Sequence, residues 1–410
     1  MRVVGLDVSR TVIEVAYLED GQLRSGGRVA VTREALERFA RGLQADDHVV
    51  LEATGNTAAI AAAMQPRAGR VVVANPLLVR LIAEAKVKTD RIDAAVLAQL
   101  YASGFLPEVW IADEKTQALR RQASRRAQVM RQCVRLKNEI HSVLAAHLIG
   151  KCPAADLFGR KGRAWLAGQP LPMDERLGVE QRLCELDRLS EDLAAIDRLL
   201  GASVLDDPRI KRLFTITGVN TTVAIEIVAA VGDIGRFASP EKLVSYFGLN
   251  PCVYQSGDQP AKHGKISKRG RSHARAMLVE AAWAAAKAPG PLRAFFLRVS
   301  QKRGQQIAAV ATARKLAVLV WHMLRNEQDY AWNRPALTAM KRRRLELQAG
   351  LPARRGSVKG IAADYSLKHV RDRERAMAEQ AERSYARSVA RWRVQPKPKG
   401  TGAATPTRNS

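Results

Sequence analysis

Arg2-Val3-Val4-Gly5-Leu6-Asp7-Val8 and Val12-Ile13-Glu14-Val15-Ala16-Tyr17-Leu18 lie close together at the start of the chain. The first is an apolar run that ends on an acid. The second alternates apolar and polar residues, and both patterns are those of strands. Gly21-Gln22 supplies a turn and Leu23 to Val31 a third strand, so short links make these three antiparallel. A helix follows from Arg33 to Leu43, with Leu36, Phe39 and Leu43 on one face. His48-Val49-Val50-Leu51-Glu52 is a buried-type strand, and it too ends on an acid. Gly55 to Met64 reads as a helix, Arg70-Val71-Val72-Val73-Ala74 as another buried strand, and Leu77 to Ala85 as a helix again.

Three antiparallel strands followed by helix–strand–helix–strand–helix predict an α/β domain with a mixed sheet. That order matches a ribonuclease H-like domain over residues 1–112. Its last helix begins inside Lys88-Thr89-Asp90-Arg91-Ile92-Asp93. Thr89 is the expected N-cap, because its hydroxyl can accept a free amide at the helix start. Asp90 and Asp93 then stand at i and i+3, side by side on one face. Acids suit a helix N-terminus through the dipole alone. The pair also has distant company, since Asp7 ends the first strand and Glu52 the fourth. Ligands of α/β sheets gather at strand C-termini. Four carboxylates meeting there would bind hard divalent cations and clamp a phosphodiester.

Charge points the same way. The 410 residues carry 67 Lys and Arg against 40 Asp and Glu, a formal +27. A balance so basic selects a polyanionic partner, with nucleic acid first. Residues 1–110 hold 13 basic and 13 acidic side chains, whereas residues 111–340 hold 36 and 21, and residues 341–410 hold 18 and 6. The electrostatic grip therefore lies outside the acid-bearing domain. The four cysteines are scattered without a Cys-x-x-Cys pair, which argues against zinc and for a reducing compartment. No signal-peptide pattern opens the chain, and no uninterrupted apolar run reaches the ~18 residues of a membrane span. The expectation is a soluble, intracellular protein that does not enter a membrane.

Residues 113–203 form a helical region. Leu119, Val129, Leu136, Ile140, Val143 and Leu144 recur at helical spacing, with Arg120, Arg121, Arg125, Arg126, Arg131, Arg135 and Lys137 between them as a possible phosphate grip. Beyond a break at Lys151 to Pro172, Leu186, Leu189, Leu193, Ile196 and Leu200 make an a/d seam. Such a seam serves an intramolecular hairpin or a dimer coiled coil equally well.

Residues 204–335 begin a mainly α unit. Ile210 to Asn220, centred on Gly218, resembles a helix–hairpin–helix that offers backbone amides to phosphate. Further on, Tyr254-Gln255-Ser256-Gly257 leads to a flexible cationic loop. Lys262, Lys265, Lys268, Arg269, Arg271 and Arg275 follow without an intervening acid. A serine in such a loop would hold a phosphate and attack it, with the cations stabilising the transition state. A loop that only binds phosphate has the same composition. Ser256 and Ser267 are the candidates. Ile307 to Leu324 is expected as a core helix, with His322 packed in it. Residues 336–410 read as a basic, partly disordered extension, with helix expected over 371–393.

The chain resembles the DEDD transposases of the IS110 family of insertion sequences, relatives of the Piv DNA invertases, over roughly residues 1–330. The N-terminal motifs are Gly5-Leu6-Asp7-Val8-Ser9, Leu51-Glu52-Ala53-Thr54-Gly55 and Lys88-Thr89-Asp90-Arg91-Ile92-Asp93-Ala94. The C-terminal ones are Gly248-Leu249-Asn250-Pro251, Gln255-Ser256-Gly257 and Gly264-Lys265-Ile266-Ser267-Lys268-Arg269-Gly270. The resemblance implies a RuvC-like catalytic domain in which Asp7, Glu52, Asp90 and Asp93 bind Mg²⁺. It implies Ser256 as the nucleophile that links covalently to DNA. It further implies a non-coding guide (bridge) RNA, and dimers or tetramers whose coiled coils bring one subunit's serine to another's acids. The expected function is a transposase working in the bacterial cytoplasm, at the nucleoid when bound to DNA. A Mg²⁺-dependent junction endonuclease without a covalent intermediate is the alternative enzyme, and a nucleic-acid-binding regulator the alternative without activity.

Overall fold

The computed structural model describes residues 1–82, 89–256, 260–353 and 360–394. The chain divides into two compact units that meet in sequence between Asp113 and Glu114.

Unit one is a sheet with helices on both faces. Its strands are β1 (Val3–Val8), β2 (Val12–Glu19), β3 (Gln22–Ala30), β4 (His48–Glu52), β5 (Arg70–Ala74) and β6 (Glu108–Val109). Its helices are α1 (Arg33–Arg41), α2 (Thr57–Met64), α3 (Pro76–Ile82) and α4 (Asp90–Ala102). The strand order is β3-β2-β1-β4-β5-β6. β1, β2 and β3 pair antiparallel, while β4 joins β1, and β5 joins β4, in parallel. The mixed sheet and the order of elements agree with the sequence reading. The two-residue β6, antiparallel to β5, is an addition that the sequence did not signal. The end expected for α3, and Lys88, fall outside the described residues.

Side-chain alternation assigns the two faces of the sheet. Val4, Leu6, Ile13, Val15, Val49, Leu51 and Val73 pack beneath α1 and α2 with Leu36, Ile60 and Met64. Val3, Val50, Val72 and Ala74 point the other way and pack with Leu97 and Ala98 of α4. Each large aliphatic chain so buried contributes about 1.5–3 kcal/mol relative to an exposed position. The sheet is therefore fixed in register, because a one-residue slip would exchange its faces.

Unit two is mainly helical. Its first helices are α5 (Glu114–Ala146), α6 (Arg160–Ala167), α7 (Met173–Val204), α8 (Pro208–Leu213), α9 (Thr221–Val231) and α10 (Pro240–Tyr246). The strands β7 (Pro251–Tyr254) and β8 (Lys262–Ile266) follow, then α11 (Ser272–Lys287), α12 (Pro291–Arg303) and α13 (Gln305–Arg325). The last helices are α14 (Pro335–Gln348), α15 (Ile361–Asp364) and α16 (Lys368–Val394). Its core is built on α9, α11 and α13, with Phe214, Phe247, Leu278 and Leu316 fully enclosed.

Several readings are decided or changed here. The seam of α7 is used within the chain: Leu186, Leu189, Leu193 and Ile196 pack on Val129, Cys133 and Leu136 of α5. Arg126 meets Asp197 and Arg182 meets Glu139, so the two helices run antiparallel. Arg121, Arg125, Arg126 and Arg135, read as a phosphate grip, all lie against carboxylates of unit two. The glycine turn at Gly218, between α8 and α9, packs closely on α11, since a Cβ there would lie 2.6 Å from the Ala281 carbonyl. His322 is exposed on the surface of α13, edge-on to Trp321, and not packed.

The C-terminal stretch is also more ordered than its composition suggests. Leu345 of α14 enters the main core, and Lys341 is buried beside it. The helix expected over 371–393 is α16, while 395–410 lie outside the described residues. α13 is 21 residues long and apolar enough to cross a membrane by length and composition, although Arg314-Lys315 interrupts its apolar run. Ala309, Thr312, Ala313, Leu316 and Val320 give the reason for its apolarity, for all are buried in unit two.

Candidate active site

The candidate site residues fall into two groups, one in each unit. In unit one, the register Gly5↔Val50 and Leu6↔Leu51 puts Asp7 and Glu52 on one face of the sheet, at neighbouring strand ends. This is the face covered by α4, because Gly5 and Val50 lie two residues earlier on the same side. Gly5 is what lets α4 come so close. A Cβ at that position would stand 2.1 Å from the carbonyl oxygen of Ala94. Asp93 immediately precedes Ala94, so the glycine in front of one acid sets the seat of another.

The start of α4 is as the sequence predicts. Thr89 is the N-cap, and its hydroxyl accepts the Ile92 amide at 3.3 Å. Asp90 and Asp93 occupy the first turn, Asp90 exposed and Asp93 half-buried. Asp7 and Glu52 are half-buried as well.

One carboxylate was missed. Glu14 pairs directly across from Asp7 on β2 and is 7% exposed. Arg28, its neighbour on β3, donates to it. The Arg28 guanidinium is held above its ordinary pKa first by that hydrogen bond to Glu14, with a smaller contribution from Asp90. The available signal was the acid in the middle of Ile13-Glu14-Val15, which a hairpin places opposite Asp7.

All of these donors are carboxylate oxygens, the set that hard divalent cations prefer. Among the described residues, no three His, Cys, Asp or Glu side chains yet converge closely enough to hold a metal ion. The donor chemistry and the shared face fit a divalent cation.

In unit two, the expected flexible loop is a two-stranded ribbon. β7 and β8 pair antiparallel, with Tyr254 opposite Lys262 and Pro251 opposite Ile266. Ser256 lies beyond the end of β7 and is exposed. Gly257 to Gln259 fall outside the described residues. Ser267 sits instead at the base, where its amide donates to the Asn250 carbonyl at 2.8 Å. Lys262, Lys265, Lys268 and Arg269 are exposed along the ribbon and its base.

The base is held by close backbone packing and hydrogen bonds. Gly248 and Gly270 both take left-handed backbone, at φ +67° and +133°. A Cβ on Gly270 would lie 2.2 Å from the Tyr246 carbonyl, and one on Gly248 would lie 2.6 Å from the Arg269 carbonyl. The two glycines of separate motifs thus let two backbone segments lock together. Arg275 adds to this, donating to the Phe247 and Lys268 carbonyls at 3.0 and 3.2 Å, so its charge braces the ribbon. Arg271 donates to the Tyr246 hydroxyl at 2.8 Å, which donates in turn to the Ala230 carbonyl. Burial pushes the Tyr246 hydroxyl up, but Arg271, Arg236 and Arg120 outweigh it and the net shift is downward.

Comparison with known proteins matches both groups. Residues 4–149 match a DEDD transposase family model of the IS110 type, and residues 210–297 match the model described as transposase IS116/IS110/IS902 family. The chain is 26% identical over 341 residues to a probable family 20 transposase of Pseudomonas aeruginosa, covering 80% of this chain and 98% of the relative. It is 27% identical to a putative transposase of Sinorhizobium fredii, over 68% of this chain and 70% of that one. It is also 27% identical to the transposase for insertion sequence element IS1111A of Coxiella burnetii, over 59% and 68%. The first match spans the acid-bearing face and the second the serine ribbon, and with them the chain belongs to the IS110/IS116/IS902 family of insertion-sequence transposases, enzymes that act on DNA.

Proposed function

We propose that this transposase cuts and rejoins DNA strands through a covalent bond between Ser256 and a backbone phosphate. The Ser256 Oγ gives up its proton and forms a bond to phosphorus. The bond from phosphorus to one sugar oxygen breaks, and that oxygen leaves as a hydroxyl once protonated. A sugar hydroxyl of the recipient strand reverses the exchange, so the number of phosphodiester bonds is conserved. Lys262, Lys265, Lys268 and Arg269 hold the strand along the ribbon, while Arg271 and Arg275 brace its base.

In this reading unit one is a ribonuclease H-like, RuvC-like domain, supported by the strand order β3-β2-β1-β4-β5 with its first three strands antiparallel. Asp7, Glu52, Asp90 and Asp93 would hold Mg²⁺, which when bound supplies positive charge to a phosphate. Glu14, held by Arg28, orients Asp7. The single observation that carries the reading is the common placement of Asp7 and Glu52 on the face against which α4 is pressed at Gly5. The protein would act in the bacterial cytoplasm as a dimer or tetramer, directed by a non-coding guide RNA. The surplus of 36 over 21 and 18 over 6 charged residues outside residues 1–110 supports polyanion binding there.

The test is a strand-cleavage assay on DNA carrying the element's ends, with Mg²⁺ and co-expressed flanking RNA. The wild type should yield a covalent protein–DNA adduct, and Ser256→Ala should lose both adduct and exchange. Equal, adduct-free cleavage by both proteins would leave the water-using endonuclease. Unchanged function in Asp7→Ala and Asp90→Ala would leave the regulator.

A further inference from the structure

The C-terminal stretch of unit two sorts its charges. Residues 341–410 hold 18 basic and 6 acidic side chains. Four of those acids are taken up in ion pairs. Glu374 and Glu382 turn inward, to Arg334 and Arg293, which precede the stretch in sequence. Glu346 and Glu379 pair with Arg343 and Arg375 on their own helices. The folded chain therefore presents arginine outward with little acid to balance it.

α14 holds part of this charge in a fixed place. Its Ala336, Thr338, Lys341 and Leu345 are buried. The Lys341 ammonium donates to the Phe214 and Ile216 carbonyls at 2.7 and 2.9 Å, and the Gln348 side chain donates to the Asp197 carbonyl at 2.8 Å. Arg342 and Arg344 flank the buried row and are exposed. With α15 and the first turn of α16, α14 borders a cleft of about 840 Å³. Arg342, Arg343 and Arg344 line it from one side, and Tyr365, Ser366 and Arg371 from the other. Glu346 is the one acid in the lining among the described residues, and Arg343 already holds it at 2.6 Å. Arg342 and Arg344 have no hydrogen-bond or ion-pair partner among the described residues, and the exposed Arg371 makes a long contact of 3.5 Å to the Tyr365 carbonyl.

Guanidinium groups gathered around one cleft repel each other unless an anion lies among them. Arginine is also the side chain whose planar fork matches phosphate oxygens through paired hydrogen bonds. A disordered basic tail loses conformational entropy on binding, whereas an anchored helix loses little. A nucleic-acid strand carries phosphates at regular spacing, and its binding is governed by such contacts. We infer that the cleft between α14 and α15–α16 binds the phosphodiester backbone of a nucleic-acid strand. Its residues lie outside both stretches that match the transposase models, 4–149 and 210–297. The C-terminal stretch thus gives this chain a grip that the matched stretches do not supply. The inference rests on the proposed handling of DNA or RNA strands, but not on the serine chemistry.

The test is the salt dependence of binding by the full chain to duplex DNA, and to single-stranded DNA and RNA of the same sequence. Arg342→Gln/Arg344→Gln/Arg371→Gln changes exposed positions, so this protein should melt as the wild type does. Each lost phosphate contact lowers the slope of log Kd against log salt by about 0.9 for a duplex and about 0.7 for a single strand. Three contacts amount to a roughly 20- to 40-fold smaller change in affinity between 50 and 200 mM salt. The strand with the largest fall in slope is the source of the phosphate. Lysine at the same three positions should keep most of the slope. As a control, Arg33→Gln/Arg38→Gln/Arg41→Gln removes equal charge from exposed positions on α1 and should leave the slope near that of the wild type. An unchanged slope in the cleft variant or an equal fall in the α1 control would overturn the inference. So would an unchanged slope with lost binding to polyglutamate, which would mark an acidic protein segment as the occupant. If the triple variant unfolds, Arg342→Gln and Arg344→Gln singly carry the test, each with a slope lowered by about 0.9 or about 0.7. Ser256→Ala should keep the full slope, so failure of the covalent mechanism leaves this measurement standing.

Discussion

The acid face of unit one and the serine ribbon of unit two solve the same problem in opposite ways. In the proposed reaction both hold reactive oxygens near a phosphodiester. In unit one the carboxylates project from the centre of a sheet with apolar side chains on both faces, and a helix is pressed onto it through one glycine. In unit two the hydroxyl stands beyond the end of a two-stranded ribbon, and only the ribbon's base is built into a core. Under the proposed mechanism the first design fixes positions, as metal ligands would require, and the second gives reach, as a nucleophile that follows a strand would require. Glycine does the same work in both, since Gly5, Gly248 and Gly270 each remove a Cβ that would strike a carbonyl within 2.6 Å.

The strongest way to break this comparison is Gly5→Val. Its side chain would collide with the Ala94 carbonyl, and α4 would have to lift from β1. Overpacking of this kind costs about 1–3 kcal/mol and occasionally more. A bond-length-scale clash with backbone belongs at the upper end, so a chemical denaturation curve should show unit one losing most of its stability and activity should vanish. If Gly5→Val melts like the wild type, α4 is not seated as described. Gly270→Ala tests the ribbon. The strained left-handed conformation alone costs about 1–3 kcal/mol, and the contact with Tyr246 adds to it. Exchange activity should fall while the unfolding of unit one stays unchanged, and loss of both would show that the two designs are not independent.

Lys341 gives a prediction confined to unit two. Its ammonium donates to the Phe214 and Ile216 carbonyls at 2.7 and 2.9 Å, and burial pulls its pKa down from 10.5 to about 7. Between pH 7 and 10.5 the unfolded chain then binds more protons than the folded one at this site. Stability should therefore rise with pH above 7, by at most about 1.4 kcal/mol per unit, and level off near 10. Denaturation of wild type and Lys341→Met at pH 6.5, 7.5 and 9 should show this slope in the wild type only. A parallel pH dependence in both proteins would refute it. Arg28→Ala should be the mildest change. The guanidinium is 75% exposed, so solvent screens its pairing with Glu14 and the pair contributes little to stability. A fall in strand cleavage larger than that loss of stability would mark Glu14 as a positioning residue for Asp7. Equal small losses would leave the pair a surface clasp.

Local pattern accounted for most of unit one. β4 and β5 begin and end at the residues that alternation and apolar runs predicted, and Thr89 caps α4 as expected. These features depend on neighbours in sequence, so one chain suffices to read them. Unit two was harder. α12 was missed because Pro291–Arg303 lacks a clear apolar face, and the ribbon was read as a loop because lysines and glycines hide its alternation.

The sequence alone determined the order of elements, the acids at the ends of β1 and β4, the basic stretch after Ser256, and the family to which they belong. Tertiary structure decided what those residues touch. It showed that Glu14 joins Asp7, that the leucine seam of α7 is satisfied by α5, and that Arg275 braces carbonyls. It also paired the nearly buried Glu374 with Arg334. Those outcomes turn on pairings across 7 to 71 residues or more, such as Glu14 with Asp7 or Arg126 with Asp197. Periodicity reports which face of an element is apolar. It carries no information about which other face will cover it.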